Sequence, residues 1–279
     1  MAATPRPRPR RPWRGWSLFA AVLLAFGSPG GAGAGLTDEV AAGFERLAGE
    51  LAEVFAPVEG LVVAVEGETL YLDLGEAGAY PGMELAVFRK GEVFRHPLTD
   101  QPLGRHEEAL GFARIIEVRE RYSLARFIPP DGGAEVRVRD EDRVRITRGR
   151  IRVAVLPLID LTRSPLDVRR VGYLLTSLLE RTGRFLPVDP QKVEDLLAGE
   201  RVRALDLYND PALARRLGRT LGVSGIIAPV LLEADGSRAL DASWLSGVTG
   251  APLLARRAAL RPVPVEAERR FPWEPPPAE

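Results

Sequence analysis

The sequence predicts an α+β protein in three parts: an amphipathic helix, a small β-barrel and an α/β domain with a mixed sheet. Apolar residues recur at helical spacing over residues 36–56. Residues 57–148 show short apolar runs separated by glycine turns, with no helical pattern between them, which is typical of a small barrel. Over residues 150–260, apolar strand patterns alternate with helical ones, and this order indicates an α/β domain.

The first part is predicted to be one helix from Leu36 to Phe55, with Thr37 as its N-cap and Pro57 ending it. Its apolar residues form a single stripe along one side: Val40, Phe44, Leu47, Leu51 and Val54. Such a stripe suits a helix that lies on its own domain. The same spacing also suits a heptad seam, so a partner helix in a short coiled coil is the alternative.

The barrel is predicted from strands and the turns between them. A hairpin turns at Glu66-Gly67-Glu68, a further strand over Glu84–Arg89 ends at a glycine turn at Lys90-Gly91, and a loop follows over His96–Arg105. Another turn is expected at Asp131-Gly132-Gly133. The remaining strands are predicted at Gly60–Val65, Thr69–Leu74, Leu110–Val118, Ser123–Phe127 and Asp142–Ile146. Barrels of this size usually bind rather than catalyse.

The α/β part opens with a nearly continuous apolar run, Ile151–Leu158, as expected of a strand buried on both faces. A helix capped by Ser164 or Asp167 then runs to about Arg181, with Gly183 as its C-cap. The other elements are strands at Phe185–Val188, Gly225–Leu232, Ala239–Ser246 and Pro252–Ala258, and helices Pro190–Leu197, capped by Asp189, and Pro211–Leu221, capped by Asp210 and stopped by Gly222.

Residues 1–34 have the organisation of a secretory signal peptide. Five arginines precede a short apolar run, Ser17–Phe26, and Ala32, Ala34 and Gly35 fit an A-x-A cleavage site. The apolar run is about ten residues, short of the roughly 20 that a membrane-spanning helix needs. We therefore expect export through the general secretory route and a periplasmic mature protein with no membrane span. The alternative is a segment retained as an anchor.

Composition limits the possible partners. The chain has no cysteine, which excludes disulfides, a thiol nucleophile and the acylated cysteine of a lipoprotein. Its 38 basic and 38 acidic residues balance, and removal of residues 1–34 would leave 33 and 38, a net charge of −5. A mildly acidic protein gives no reason to expect nucleic acid as a partner.

No catalytic or cofactor pattern is present, so the expectation is a protein that is not an enzyme and needs no cofactor. No P-loop or dinucleotide fingerprint occurs, and Gly222–Gly225 only superficially resembles a nucleophile elbow. His96 and His106, with Asp100 and nearby glutamates, could form a metal site, but turn-forming and solvated roles are favoured. Residues 261–279 are proline-rich and predict a mostly extended tail. Phe271 and Trp273 could dock it, but a free tail is favoured.

Four stretches of the α/β part carry a resemblance through their order along the chain: Val153–Pro157, Val171–Glu180 followed by Phe185–Asp189, Ala214–Pro229, and the Thr249-Gly250 turn. Over residues 151–258 the chain resembles the domain shared by the curli-secretion protein CsgG, the penicillin-binding-protein activator LpoB, the N-terminal part of TolB and the middle domain of the flagellar protein FlgT. The resemblance implies a binding domain with a mixed sheet.

The β-rich part looks like the SH3-like C-terminal barrel of FlgT. Its most specific piece is H-P-x-T-x-x-x-L-G, which here is His96-Pro97, Thr99, and Leu103-Gly104. Two further pieces that match are Pro81–Arg89 and Gly111–Ser123. In FlgT the barrel follows the α/β domain, whereas in this chain it comes first, so the resemblance implies a general role rather than a position on a flagellum.

These observations lead to three hypotheses about function. The first is a periplasmic scaffold of an envelope machine, most like a flagellar assembly factor, with basal-body components as partners. The second is an activator of a peptidoglycan synthase, and the third an accessory subunit of a CsgG-type secretion system. A homo-oligomer is compatible with each. The residues expected to contact partners are His96, Pro97, Thr99, Asp100, Arg169, Arg170, Arg215 and Arg216.

Overall fold

A computed structural model describes residues 31–130, 136–162, 164, 166–234 and 236–261 of the 279-residue chain. The predicted signal-peptide core, the Asp131-Gly132-Gly133 turn and most of the tail lie outside these residues. Among the described residues, no helix combines the length and apolar character that a membrane span requires.

Within the described residues the first helix, α1, spans Gly31–Val54. The predicted N-cap at Thr37 is therefore wrong, because the residues before it already have helical backbone and Leu36 gains burial there. The predicted stripe is buried within the chain itself. Although α1 precedes the barrel in sequence, it packs on the α/β domain, where Phe44 and Leu51 are fully buried.

Six strands close into a barrel in the order β1-β2-β5-β4-β3-β6, and pairing of β1 with β6 completes the ring. The inward side chains are aliphatic, among them Val62, Leu72, Leu85, Val87 and Ile115. The bounds are β1 Val58–Glu66, β2 Thr69–Leu72, β3 Glu84–Arg95, β4 Pro102–Val118, β5 Ser123–Ile128 and β6 Arg143–Ile146.

Two predictions for the barrel are wrong in the same place. The chain does not turn at Lys90-Gly91, since β3 continues to Arg95, and the expected loop over His96–Arg105 is a tight turn followed by the start of β4. Pairing between β3 and β4 supplies hydrogen bonds for this extra length, with a register shift between Lys90 and Val93 that accommodates the glycine.

The α/β domain has a mixed sheet in the order β12-β11-β10-β7-β9, which confirms the predicted fold class. Strand β7 pairs in parallel with β9 and with β10, whereas β11 is antiparallel to both of its neighbours, β10 and β12. Short β8 adds to β10 beyond the end of β7. The bounds are β7 Ile151–Val155, β8 Ile159–Asp160, α2 Val168–Arg181, β9 Phe185–Pro187, α3 Pro190–Glu200, α4 Asp206–Asn209, α5 Pro211–Leu221, β10 Gly225–Ala234, β11 Ser237–Ser246 and β12 Pro252–Ala259.

Helix α5 shows the local signals that were predicted for it. Asp210 accepts hydrogen bonds from the Ala212 and Leu213 amides, and Gly222 ends the helix in a left-handed conformation (φ 63°). Asp189 likewise caps α3. Ser164 does not cap α2, because its hydroxyl instead donates to Asp160 at 2.7 Å; Asp167 immediately precedes α2.

The sheet is covered on both faces, giving three layers. Val153, Ile227 and Trp244 point to the side where α1 and α2 lie, and this core continues into the barrel. Ala154 and Ile226 point to the other side, which α3, α4 and α5 cover. The alternation along β7 and β10 therefore decides which helix lies on which face.

Two contacts fasten the barrel to the α/β domain. Buried Glu84, on β3, accepts hydrogen bonds from Ser246 (2.6 Å) and Thr249 (2.8 Å), and it also pairs with Arg114. Arg184, only 9% exposed, donates to three backbone carbonyls at the end of α1 and in the linker between the domains. Both contacts hold the two domains in one arrangement.

Candidate functional site: a projecting hairpin arm

The feature that stands out from the compact body is the far half of the β3–β4 hairpin. β6 pairs with β3 only over Ala86–Phe88, and β5 pairs with β4 only from Phe112 onward. Residues 90–109 therefore extend past the barrel wall as two strands that pair with each other alone in the described structure. We call these residues the arm. Most of their side chains are exposed, on both faces.

The tip of the arm, residues 96–100, is a closed turn held by its own hydrogen bonds. His96 Nδ1 accepts from the amides of Leu98 (3.2 Å) and Thr99 (3.3 Å), and the Asp100 amide donates to the His96 carbonyl (2.9 Å). Asp100 has φ 54°, a left-handed conformation that aspartate tolerates better than most residues.

The arm exposes four large apolar side chains near its tip. Leu98 is 89% exposed and Leu103 56%, and they are joined by Phe94 and Val93 at 42% and 38%. The Phe94 ring lies against Gly104 and 5.2 Å from the His106 ring. Exposed apolar surface contributes nothing to folding, so a cluster of it on a projecting element indicates a binding surface.

Charged side chains fix the base of the arm to the barrel. Arg145 forms a bidentate pair with Glu107 (3.0 and 2.6 Å) and stacks 4.0 Å above the Phe88 ring. Just below the arm, Arg89 pairs with buried Asp142 through two hydrogen bonds of 2.8 Å, and these raise the pKa of Arg89. A braced base limits how far the tip can swing, which lowers the entropy lost on binding.

The structure brings four of the predicted contact residues together and separates the others. His96, Pro97, Thr99 and Asp100 form the tip of the arm. Arg169 and Arg170 lie at the start of α2, and their side chains are outside the described part. Because α2 and α5 cover opposite faces of the sheet, Arg169 and Arg170 lie on one side of it and Arg215 and Arg216 on the other.

On α5, Arg216 pairs with Glu200 at 2.7 Å. At the N-terminal end of the described residues, Ala32, Ala34 and Gly35 lie in the first turns of α1, and cleavage there stays a prediction. The described residues contain no cluster of three His, Asp or Glu side chains that could hold a metal ion.

Sequence reasoning found the tip of the arm but not its length or its apolar cluster. Lys90 and Glu107 have opposite charges and pair directly across the hairpin. Val93 and Arg105 pair across it further out. Such cross-strand pairs become visible only once the register is known, and the register shifts three times along this hairpin.

Comparison with known proteins gives partial matches. No protein-family model matches the chain. A curated relative from Aquifex aeolicus, described only as an uncharacterized protein, is 33% identical over 108 residues, which is 39% of this chain. The chain spans about a fifth of that relative's length.

Solved structures that are similar include the LpoB C-terminal domain from Salmonella enterica, at 16% identity and a TM-score of 0.34, covering 40% of this chain and 84% of that one. The structure of Escherichia coli LpoB has a TM-score of 0.35 at 16% identity, covering 40% and 56%. A lipoprotein from Neisseria meningitidis has a TM-score of 0.32 at 16% identity, covering 40% and 80%. Nothing in these comparisons supports the flagellar hypothesis.

Proposed function

We propose that this chain is a non-enzymatic binding protein of the cell envelope and that the arm is its contact with a partner protein. The observation that carries the proposal is the apolar tip, where Leu98 is 89% exposed at the end of a hairpin that is braced to the barrel. The arm makes no contribution to the barrel core beyond its base, so folding alone does not explain its apolar residues.

The envelope location rests on the N-terminal sequence. A basic segment, a short apolar run and the small residues Ala32 and Ala34 fit an export signal. Absence of cysteine is compatible with an oxidising compartment, because no thiol is at risk there.

The chemistry of the arm specifies what its partner must offer. Leu98 and Leu103 need an apolar cleft, in which burying a leucine contributes about 1.5–3 kcal/mol. Arg105 is exposed, and among the described residues its only hydrogen bond goes to the Gly91 carbonyl, at 3.3 Å. An acidic rim on the partner's cleft would complement that guanidinium.

A peptidoglycan synthase is the partner class that we put first. The α/β domain resembles activators of such enzymes in the sequence from Val153 to Pro157 and at the Thr249-Gly250 turn, and it has the mixed sheet that the resemblance implied. A component of a flagellar or other envelope machine is the competing class, on the resemblance of the barrel and the tip residues His96-Pro97.

Affinity capture from gently cross-linked envelopes tests the proposal. The bait is the full chain, and the test variant carries Leu98→Ser and Leu103→Ser. Val63→Ser is the matched control, because Val63 is 47% exposed but lies on the barrel wall. We expect a discrete partner to be recovered with the parent and the control and to be lost with the arm variant.

Two results decide between the hypotheses: which proteins are captured, and whether the arm variant still captures them. Recovery of a synthase supports the activator role, and recovery of basal-body proteins would replace it with scaffolding. Equal recovery by the arm variant would contradict the arm as the contact. Because all three side chains are exposed, circular dichroism is expected to show the same thermal unfolding for each variant.

A further inference from the structure

A groove separates the barrel from the α/β domain on the side of the linker between them. It has a volume of about 270 Å³ and is open to solvent. Its apolar lining comes from both domains and from the end of α1: Phe55, Phe112, Ile146, Trp244, Val248 and Leu253. Phe112, Val248 and Leu253 are half-buried and accessible from the groove, whereas the Phe55 and Trp244 rings, stacked at 3.9 Å, are buried. An apolar cleft between two domains is a common location for a ligand.

Arginines stand around this apolar lining. Arg145 is engaged with Glu107, and Arg150 donates to the Phe185 carbonyl at 2.9 Å. Arg152 differs from them: within the described part of the chain its guanidinium has no carboxylate partner and only a 3.3 Å hydrogen bond to the Leu221 carbonyl. The carboxylate of Glu84, which also lines the groove, is already bonded to Arg114, Ser246 and Thr249.

A ligand complementary to this groove would combine a large apolar group with a carboxylate. The apolar group would contact the half-buried side chains Phe112, Val248 and Leu253, and the carboxylate would accept two hydrogen bonds from Arg152. The volume is enough for one or two aromatic side chains but not for a folded domain. A short peptide segment is the ligand class that meets these conditions.

One segment of the chain outside the described residues has this chemistry. Residues 271–274 read Phe-Pro-Trp-Glu, with two large aromatic side chains beside a carboxylate. The segment 1–30 has Trp13 and Trp16 but no acidic residue, and the segment 131–135 has acids but no large apolar residue. Sequence chemistry thus selects the C-terminal segment.

The length of the chain allows this segment to reach the groove. Leu253, at the start of β12, lines the groove, and Arg261 lies eight residues further on, about 26 Å away at 3.3 Å per residue. The proline-rich segment 262–272 would span about 34 Å at 3.1 Å per residue. The segment is therefore long enough to return along β12, an edge strand of the sheet, to the groove.

We propose that the interdomain groove is a binding site for an aromatic–acidic peptide segment and that residues 271–274 of the same chain occupy it. Trp273 contacts the half-buried apolar lining formed by Phe112, Val248 and Leu253, and Glu274 pairs with Arg152. The groove is then filled in cis, separate from the arm, so this proposal does not depend on the proposed function.

Distance measurements between two spin labels test the proposal in the full chain, whose lack of cysteine allows clean labelling. One label is attached through Arg148→Cys, an exposed position next to the linker, and the other through Pro276→Cys. We expect a narrow distance distribution in the parent. Trp273→Ala and Arg152→Gln should each broaden it, whereas the matched control Arg181→Gln, an exposed arginine on α2, should leave it unchanged.

Two results would overturn the proposal. A broad distribution in the parent, or a narrow one that persists in Trp273→Ala, would show that the aromatic segment does not hold the tail in the groove. A narrow distribution that appears only in mixtures of singly labelled chains would assign the groove to the tail of a second copy. Trp273 lies outside the described residues and Arg152 is exposed, so Trp273→Ala and Arg152→Gln are expected to unfold at the same temperature as the parent. Measuring that temperature checks that each variant is folded.

Discussion

Replacing Arg184 with methionine is predicted to weaken the whole junction between α1, the linker and the sheet. The Arg184 guanidinium donates from Nε to the Phe55 carbonyl (2.6 Å), from Nη1 to Gly149 (2.7 Å) and from Nη2 to Thr147 (2.6 Å). These carbonyls belong to segments far apart in sequence. One buried cation therefore fastens the end of α1 to the linker and to the start of β9.

The magnitude follows from the three lost hydrogen bonds. A hydrogen bond to a charged group contributes about 1.5–3 kcal/mol, and methionine keeps the apolar stem of the side chain while removing all three donors. Burial lowers the pKa of Arg184, because desolvation disfavours the charged form, and this cost offsets part of the gain. Partial rehydration of the carbonyls offsets more, and we expect a net loss of about 3 kcal/mol.

Urea unfolding followed by circular dichroism measures this loss as a shift of the midpoint at constant slope. Arg184→Lys should give an intermediate value, since one ammonium group cannot span three carbonyls in different directions. Arg181→Met, at an exposed position at the end of α2 three residues before Arg184, should change the free energy of unfolding by less than about 0.5 kcal/mol. A loss below about 1 kcal/mol for Arg184→Met would refute the role of this cation.

Three further predictions concern Glu84 at the domain junction, the turn at Gly250, and Asp160 on β8. Glu84→Gln should destabilise the protein by about 2 kcal/mol in urea unfolding, because Arg114, 30% exposed, loses its carboxylate; no loss would contradict the junction described above. Gly250→Ala should cost more than about 3 kcal/mol or prevent folding, because φ is 75° and a Cβ would lie 1.8 Å from the Pro211 carbonyl oxygen. The control Gly172→Ala, on helix α2 with open space around it, should be neutral or stabilising. Equal thermal unfolding of the two variants would refute this. Burial raises the pKa of Asp160, but hydrogen bonds from Ser164 and Thr162 outweigh it, and the net shift of the pKa is downward from 3.8. The stability that ionised Asp160 contributes is therefore present above that pH and is lost as the pH falls through the lower pKa of the folded state. In acid unfolding, Asp160→Asn should lose stability less steeply below pH 4 than the parent, and identical acid unfolding curves would count against this prediction.

Local sequence signals were sufficient where the structure is decided locally. Asp189 and Asp210 precede a proline at the first helical position, and Gly222 follows the last apolar residue of α5, so both ends of that helix could be predicted. The alternation of apolar residues also predicted the barrel and the mixed sheet. In these elements a few neighbouring residues determine the backbone.

Non-local pairing explains what the sequence could not show. The length of the arm depends on the register between β3 and β4, which a turn signal at Lys90-Gly91 does not reveal. The placement of α2 and α5 on opposite sides of the sheet, which separates their arginines, likewise depends on how the strands pair. Thr37 resembles an N-cap in isolation, but the helix already includes Leu36, which is buried.

The most direct test of the central claim is site-specific photo-cross-linking in cells that produce the full chain. A photoreactive amino acid replaces Leu98 at the tip of the arm, and in a matched control it replaces Val63 on the barrel wall. If the arm is the contact, Leu98 will give one discrete adduct with an envelope protein and Val63 will give none. A discrete adduct from Val63 with none from Leu98 would place the contact on the barrel wall and contradict the account.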